Sequence, residues 1–177
     1  MCKGNVDRLV QDHQFQHLNR YSDIMVYDDT RVKLKPRVDE SKCTLADTYI
    51  NACFVDVSIS HVWLIILILQ SPFAVGDQKI IASQGPLDNT VADFWRMISQ
   101  ENVQMIVTTC RLKEGNRPKC EQFWPNSEND EVFKKRLRWG DHMTVKPVKV
   151  ENLTSHLQKR TFTLTDTFTD RKDMPIT

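Results

Sequence analysis

Thr90-Val91-Ala92-Asp93-Phe94-Trp95-Arg96-Met97-Ile98-Ser99-Gln100-Glu101, followed after three residues by Met105-Ile106-Val107-Thr108-Thr109-Cys110, is the stretch that decides the fold of this chain. Val91, Phe94, Trp95 and Ile98 fall at i, i+3, i+4 and i+7, so a helix over residues 90–101 gathers them on one face for burial. Thr90 with Asp93 predicts a capping-box-like start. Residues 105–110 are apolar but too few for a helix, and they predict a short strand buried on both faces. A helix that runs into a buried strand implies an α/β layout.

Upstream, residues 49–55 and 80–83 read as two short strands that would be sheet neighbours without the chain between them. Val32 and Leu34 alternate with Lys33 and Lys35 as in an edge strand, which Pro36 stops. Val6, Leu9 and Val10 predict an amphipathic helix over residues 5–17. Downstream, residues 121–124, 132–139, 145–150 and 160–164 carry strand patterns and read as antiparallel partners.

At 177 residues with 40% apolar content, the chain predicts one domain over residues 1–177. Its 24 Lys and Arg against 23 Asp and Glu create no overall field, which argues against nucleic acid and against a membrane as a partner drawn by charge. The five cysteines at 2, 43, 53, 110 and 120 are odd in number and show no Cys-x-x-Cys pair, a pattern of free thiols in a reducing compartment. The first fifteen residues carry Lys3, Asp7, Arg8 and Asp12 and no continuous apolar core, so no secretory signal is read and a cytoplasmic location is expected. No His-rich cluster points to a metal and no Gly-rich phosphate loop to a nucleotide cofactor; none of either kind is expected.

Five motifs stand in order: Asn19-Arg20-Tyr21, Tyr49-Ile50-Asn51-Ala52, Gln84-Gly85-Pro86-Leu87, Asp93-Phe94-Trp95-Arg96-Met97 and Lys119-Cys120-Glu121-Gln122-Phe123-Trp124-Pro125. Gly85-Pro86 marks a sharp turn that Gln84 is placed to bridge. Tyr21 is flat and polar at one end, suited to stack on an aromatic ring from a loop, and Asp23 is suited to accept from a peptide backbone. Glu114 and Lys119 share one loop, where each can orient a partner of opposite charge. Taken singly, Tyr21 reads first as a surface residue packed on its own loop, and Glu114 and Lys119 as solvated surface charges.

As an ordered series, the motifs resemble the front part of the catalytic domain of the tyrosine-specific, cysteine-dependent protein-tyrosine phosphatases, over about residues 5 to 165. The resemblance implies a mixed, highly twisted central sheet flanked by helices, incomplete at the C-terminus. It implies that Tyr21 lines a deep phosphotyrosine pocket and that Asp23 positions the substrate peptide. It places Glu114 and Lys119 as supporting residues, the Glu beside a phosphate-binding Arg and the Lys beside a general acid. Leu18 stands where the family usually has Lys, and Thr48 interrupts the usual Asp-Tyr-Ile-Asn-Ala. Cys120 corresponds to a buried structural thiol of the family, and its motif claims Trp124-Pro125-Asn126, which is thereby not the general-acid loop.

The chemistry of that family needs a low-pKa thiolate, backbone N–H groups at a helix N-terminus, and an Arg six residues after the Cys. Cys2-Lys3-Gly4-Asn5-Val6-Asp7-Arg8 has the spacing but only Met1 before it, with neither the preceding His nor the later Gly of the family loop. No catalytic residue is therefore assigned. The expectation is a truncated phosphatase domain, inactive as it stands, whose partner when completed would be a phosphotyrosine protein or peptide. The alternative is a non-catalytic phosphotyrosine-binding or interaction module.

Between the second and third motifs the chain is longer than the family spacing, with the excess at residues 57–70. Its centre, Val62-Trp63-Leu64-Ile65-Ile66-Leu67-Ile68-Leu69, is apolar throughout but far short of the roughly 20 residues of a membrane span. The segment reads as an aberrant insertion, a translated intron or gene-model error. Val-Ser can be encoded by GTGAGT and Gln by CAG, and its fourteen codons preserve the frame and join Asp56 to Ser71 on removal. As translated protein it is an apolar, β-prone run.

Overall fold

The computed structural model describes residues 13–24, 26–37, 45–55, 66–69, 79–137 and 142–177. Its central sheet is built from β1 (Ala52–Val55), β2 (Ile66–Leu69), β3 (Ile80–Ser83) and β4 (Met105–Val107), in the spatial order β1-β3-β2-β4. Each described pairing in it is antiparallel. Because β2 is antiparallel to both β3 and β4, those two strands run parallel, one strand apart, joined by helix α1 (Val91–Gln100). Residues 30–32 lie along the outer side of β1, with the Val32 N–H donating to Ala52 O at 2.9 Å and the Phe54 N–H to Thr30 O at 2.7 Å.

Helix α1 explains why the fold forms around it. Val91, Phe94, Trp95 and Ile98 are buried as their spacing requires, and so are Ala92, Arg96, Met97 and Ser99, so the helix is enclosed on nearly every side. The Trp95 ring meets Phe133 at 6.4 Å and Phe162 at 6.1 Å, both edge-on, and its indole N–H donates to Phe123 O. Arg96 is buried with its guanidinium donating to the Lys35 carbonyl at 2.6 Å, to the Asp47 carbonyl and to Asp93 at 3.2 Å. Desolvation holds its pKa below the usual arginine value despite Asp93. The helix stops at Asn102, whose positive φ of 55° lets the Val103 N–H reach Ile98 O at 3.0 Å and the Asn102 N–H reach Ser99 O at 3.3 Å, a Schellman closure.

A two-residue pair, β5 (Lys113–Glu114) and β6 (Arg117–Pro118), forms a small hairpin closed by Gly115 at a φ of 59°. Helix α2 (Glu131–Leu137) then packs Phe133 and Leu137 onto the core. The chain ends in a three-stranded meander of β7 (Met143–Asn152), β8 (Gln158–Asp166) and β9 (Arg171–Ile176). Val145, Phe162, Leu164, Met174 and Ile176 on this meander join the same core as α1. Asp166, fully buried, pairs with the guanidinium of Arg37 and so ties β8 to the segment before β1.

The α/β expectation and the pairing of residues 49–55 with 80–83 hold. Several local expectations do not. Of the strand expected at 132–139, the described residues 132–137 form a helix instead: Asp130 caps it, accepting from the Phe133 N–H at 3.0 Å, and Phe133 and Leu137 then share one face. Residues 121–124 are irregular, held by the Trp95 and Arg136 side chains on the Phe123 and Gln122 carbonyls. The strand at 105–110 stops at Val107 and is half-exposed, because one side of it faces an open groove of about 670 Å³. Thr90 does not cap forward; its hydroxyl accepts from the Leu87 N–H at 2.9 Å, and Asp93 turns to Arg96. The expected helix at 5–17 lies mostly outside the described residues, and His13–Leu18 is a 3-10 turn. Strand β9 had no signal in the sequence reading, since Pro175 interrupts its alternation.

Candidate functional site

Tyr21 and Lys119 stand 98 positions apart in sequence, and three local structures bring them together. The first is a clamp made by Arg20. Its backbone N–H donates to Gln84 Oε1 at 2.8 Å, while its guanidinium donates to the carbonyls of Gly85 at 2.8 Å, Pro86 at 2.6 Å and Pro118 at 3.2 Å. Gln84 closes the same seam by donating from Nε2 to Leu18 O at 2.8 Å. Charged donors on three carbonyls fix the loop in register better than any single contact could.

The second is a polar knot under the loop. Asn19 Oδ1 accepts from the buried Tyr49 hydroxyl at 2.7 Å and from Asn51 Nδ2 at 2.9 Å, and Asn51 also donates to Ile24 O at 3.1 Å. Both ends of the loop carrying Tyr21 are thus held by Tyr49 and Asn51, in the segment just before β1.

The third is a close backbone approach at Gly85. A Cβ there would lie 2.5 Å from Lys119 O and 3.1 Å from the Cys120 Cβ, so only glycine lets the turn seat against the segment after β6. The Glu121 N–H donating to Pro86 O at 2.8 Å completes that seam.

On this base Tyr21 is 39% exposed and Lys119 Nζ donates to its hydroxyl at 3.1 Å, with the ammonium 5.5 Å from the ring centre. Asp23 is exposed on the same loop, and Glu114 is exposed opposite Arg117 in the β5–β6 hairpin. The structure therefore joins the expected substrate-binding Tyr21 directly to the expected supporting Lys119. The described contacts do not include one between Glu114 and either of them.

Cys120 is buried, with its thiol pushed up to about 12, first by burial and then by Cys110 beside it, the direction opposite to the lowered pKa of a reactive thiolate. Cys53 is likewise pushed up by burial. Trp124 is enclosed between Phe123, edge-on at 4.9 Å, and the guanidinium of Arg160 at 5.0 Å, while the Asn126 N–H donates to Asp130 at 3.0 Å. These are structural engagements, as the reading of Trp124-Pro125-Asn126 required. The sequence Cys2 to Arg8 lies outside the described residues. What sequence reasoning missed is Arg20: it was visible between Asn19 and Tyr21, but a clamp on carbonyls leaves no partner residue type to look for.

The chain matches the family model described as protein-tyrosine phosphatase over residues 15–176. It is 38% identical over 167 residues to the tyrosine-protein phosphatase non-receptor type 9 of Homo sapiens, covering 94% of this chain and 22% of that protein. It is 40% identical over 113 residues to the human receptor-type tyrosine-protein phosphatase C, covering 64% of this chain and 7% of that protein. Among solved structures it is similar to the catalytic domain of human protein tyrosine phosphatase non-receptor type 18. The TM-score is 0.64 at 25% identity, and the match covers 94% of this chain and 49% of that one. The chain thus spans well under two thirds of these proteins, and among the described residues no helix is long and apolar enough to cross a membrane. On the match of its residues 15–176, this chain belongs to the protein-tyrosine phosphatase family.

Proposed function

We propose that residues 1–177 are the substrate-recognition part of a protein-tyrosine phosphatase domain and that this chain hydrolyses no phosphate by itself. The observation that carries this reading is the assembled Tyr21–Lys119 pair with, among the described residues, no activated thiol beside it. Tyr21 offers a ring edge and hydroxyl to an aromatic phosphate ester, Asp23 accepts from the substrate backbone, and Lys119 and Glu114 wait for partners of opposite charge. Joined to a segment that carries a Cys-x5-Arg loop and a general acid, these residues would serve a two-step hydrolysis of phosphotyrosine. The thiolate attacks phosphorus, the tyrosine oxygen leaves with a proton, and water then cleaves the cysteinyl-phosphate. A cytoplasmic place fits the free thiols of Cys53, Cys110 and Cys120. Residues 57–70 remain, on this reading, an insertion foreign to the motif series.

A second reading, a non-catalytic phosphotyrosine-binding module, is favoured by the exposure of Tyr21 on a loop that is already fixed. Titration of the chain with a phosphotyrosine peptide separates the two. The first reading expects no saturable binding below millimolar peptide; binding that Tyr21→Ala abolishes would favour the module.

A further inference from the structure

The central sheet contains a place for a strand that the ordered motifs do not supply. Strands β3 and β4 are parallel, are joined through α1, and leave one strand position between them. Strand positions repeat at about 4.8 Å, so this gap presents two facing rows of backbone donors and acceptors that water cannot fully serve inside a sheet. Elsewhere those two strands are already served. β3 has β1 on its other side. β4 has the chain end there, with the Ile106 N–H donating to Thr177 O at 2.7 Å and the Thr177 N–H to Gln104 O at 2.9 Å.

The alternation of an antiparallel ladder identifies which amides face the gap. Since the Ile106 N–H turns to Thr177, the Met105 and Val107 amides face the other way, toward β2. Since the Phe54 N–H turns to Thr30, Cys53 and Val55 face β3 and engage Ala82 and Ile80, which leaves the Ile81 and Ser83 amides toward β2. Four amides on two strands thus define one strand-accepting slot.

Its occupant is Ile66-Leu67-Ile68-Leu69, from the segment that has no counterpart in the motif series. We propose that this slot is a strand-accepting site and that residues 66–69 are its cap in cis: they close the sheet from within the chain and exclude any strand supplied by further polypeptide. Presence or absence of residues 57–70 then selects between a self-capped form and one open to an extended apolar strand. This inference goes beyond the proposed lack of hydrolysis and does not depend on it, because its readout is backbone protection and not turnover.

The test is residue-resolved amide hydrogen exchange on the whole chain, on the chain with residues 57–70 excised, and on Ile68→Pro, which removes a ladder donor. In the intact chain the Ile81, Ser83, Met105 and Val107 amides should be protected. Excision and Ile68→Pro should each speed those four by about a hundredfold or more, while Ala82 and Ile106 keep their protection through β1 and Thr177. A synthetic peptide of residues 64–70 with appended lysines should restore protection to the excised chain and leave the intact one unchanged. Unprotected Met105 and Val107 in the intact chain, or equal exchange with and without residues 57–70, overturns the proposal. If the excised chain loses protection everywhere, Ile68→Pro decides: selective loss at the four amides supports the cap, and either uniform loss or no change overturns it.

Discussion

The ammonium of Lys119 lies 3.1 Å from the hydroxyl oxygen of Tyr21 and 5.5 Å from the centre of its ring, so one cation engages both the polar tip and the π-system of the same side chain. The pair is solvent-exposed, where such contacts contribute at most about 1 kcal/mol. Lys119→Ala and Tyr21→Phe are therefore each expected to change unfolding free energy in urea by no more than about 1 kcal/mol. A loss above about twice that would mean the pair holds the fold rather than waits on it.

Arg20 is the opposite case. Its guanidinium serves three carbonyls on two segments, and hydrogen bonds to a charged group are worth about 1.5–3 kcal/mol each when broken singly. Arg20→Ala should cost about 2–4 kcal/mol in the same urea measurement. Arg20→Lys should recover less than half of that, because an ammonium cannot fork onto Gly85 and Pro86 together.

Gly85→Ala drives a methyl group against the Lys119 carbonyl at 2.5 Å, a backbone atom with no rotamer to yield. A loss of about 1–3 kcal/mol is expected, of the size seen for overpacking. The same substitution should perturb the amide chemical shifts of Tyr21 and Lys119 more than those of β7 and β8. Shifts spread evenly over the chain would contradict the seam described between Gly85 and Lys119.

Cys120 gives a pH signature. Its folded thiol sits at about 12 against an ordinary 9.0, so the native state holds the proton more tightly than the unfolded chain. The sign follows: the contribution is fully present below pH 9.0 and is lost as pH rises toward 12. Thermal stability should fall through that window, and Cys120→Ser should flatten the fall. At pH 8 the thiolate population is about a thousandfold below that of an unperturbed thiol, so iodoacetamide should modify Cys120 only after unfolding. Rapid native alkylation at Cys120 would show that the thiol is not shielded as described.

Much of this architecture could be read before any coordinates. Val91, Phe94, Trp95 and Ile98 announced α1 because helical period and burial coincide there, whereas Gln84, expected to bridge its own Gly85-Pro86 turn, engages Leu18 and Arg20 on a distant segment that local pattern does not reveal. Tyr21 and Lys119 were legible only as members of an ordered series, since neither carries a local signal. Helix α2 was misread as a strand because its apolar residues are few and its start depends on Asp130, a cap whose side-chain geometry the letters do not display. The strand at Ile66–Leu69 was legible as β-prone but not as placed, because strand position is set by pairing across long sequence separations and not by local pattern.

Hydrolysis of an aryl phosphate by the purified 177-residue chain tests the central claim most directly. Release no faster than buffer is expected, unchanged by Cys120→Ser and by Tyr21→Ala. Turnover at about 1 per second or faster that copurifies with the chain and disappears on substitution of one of its own cysteines would contradict it.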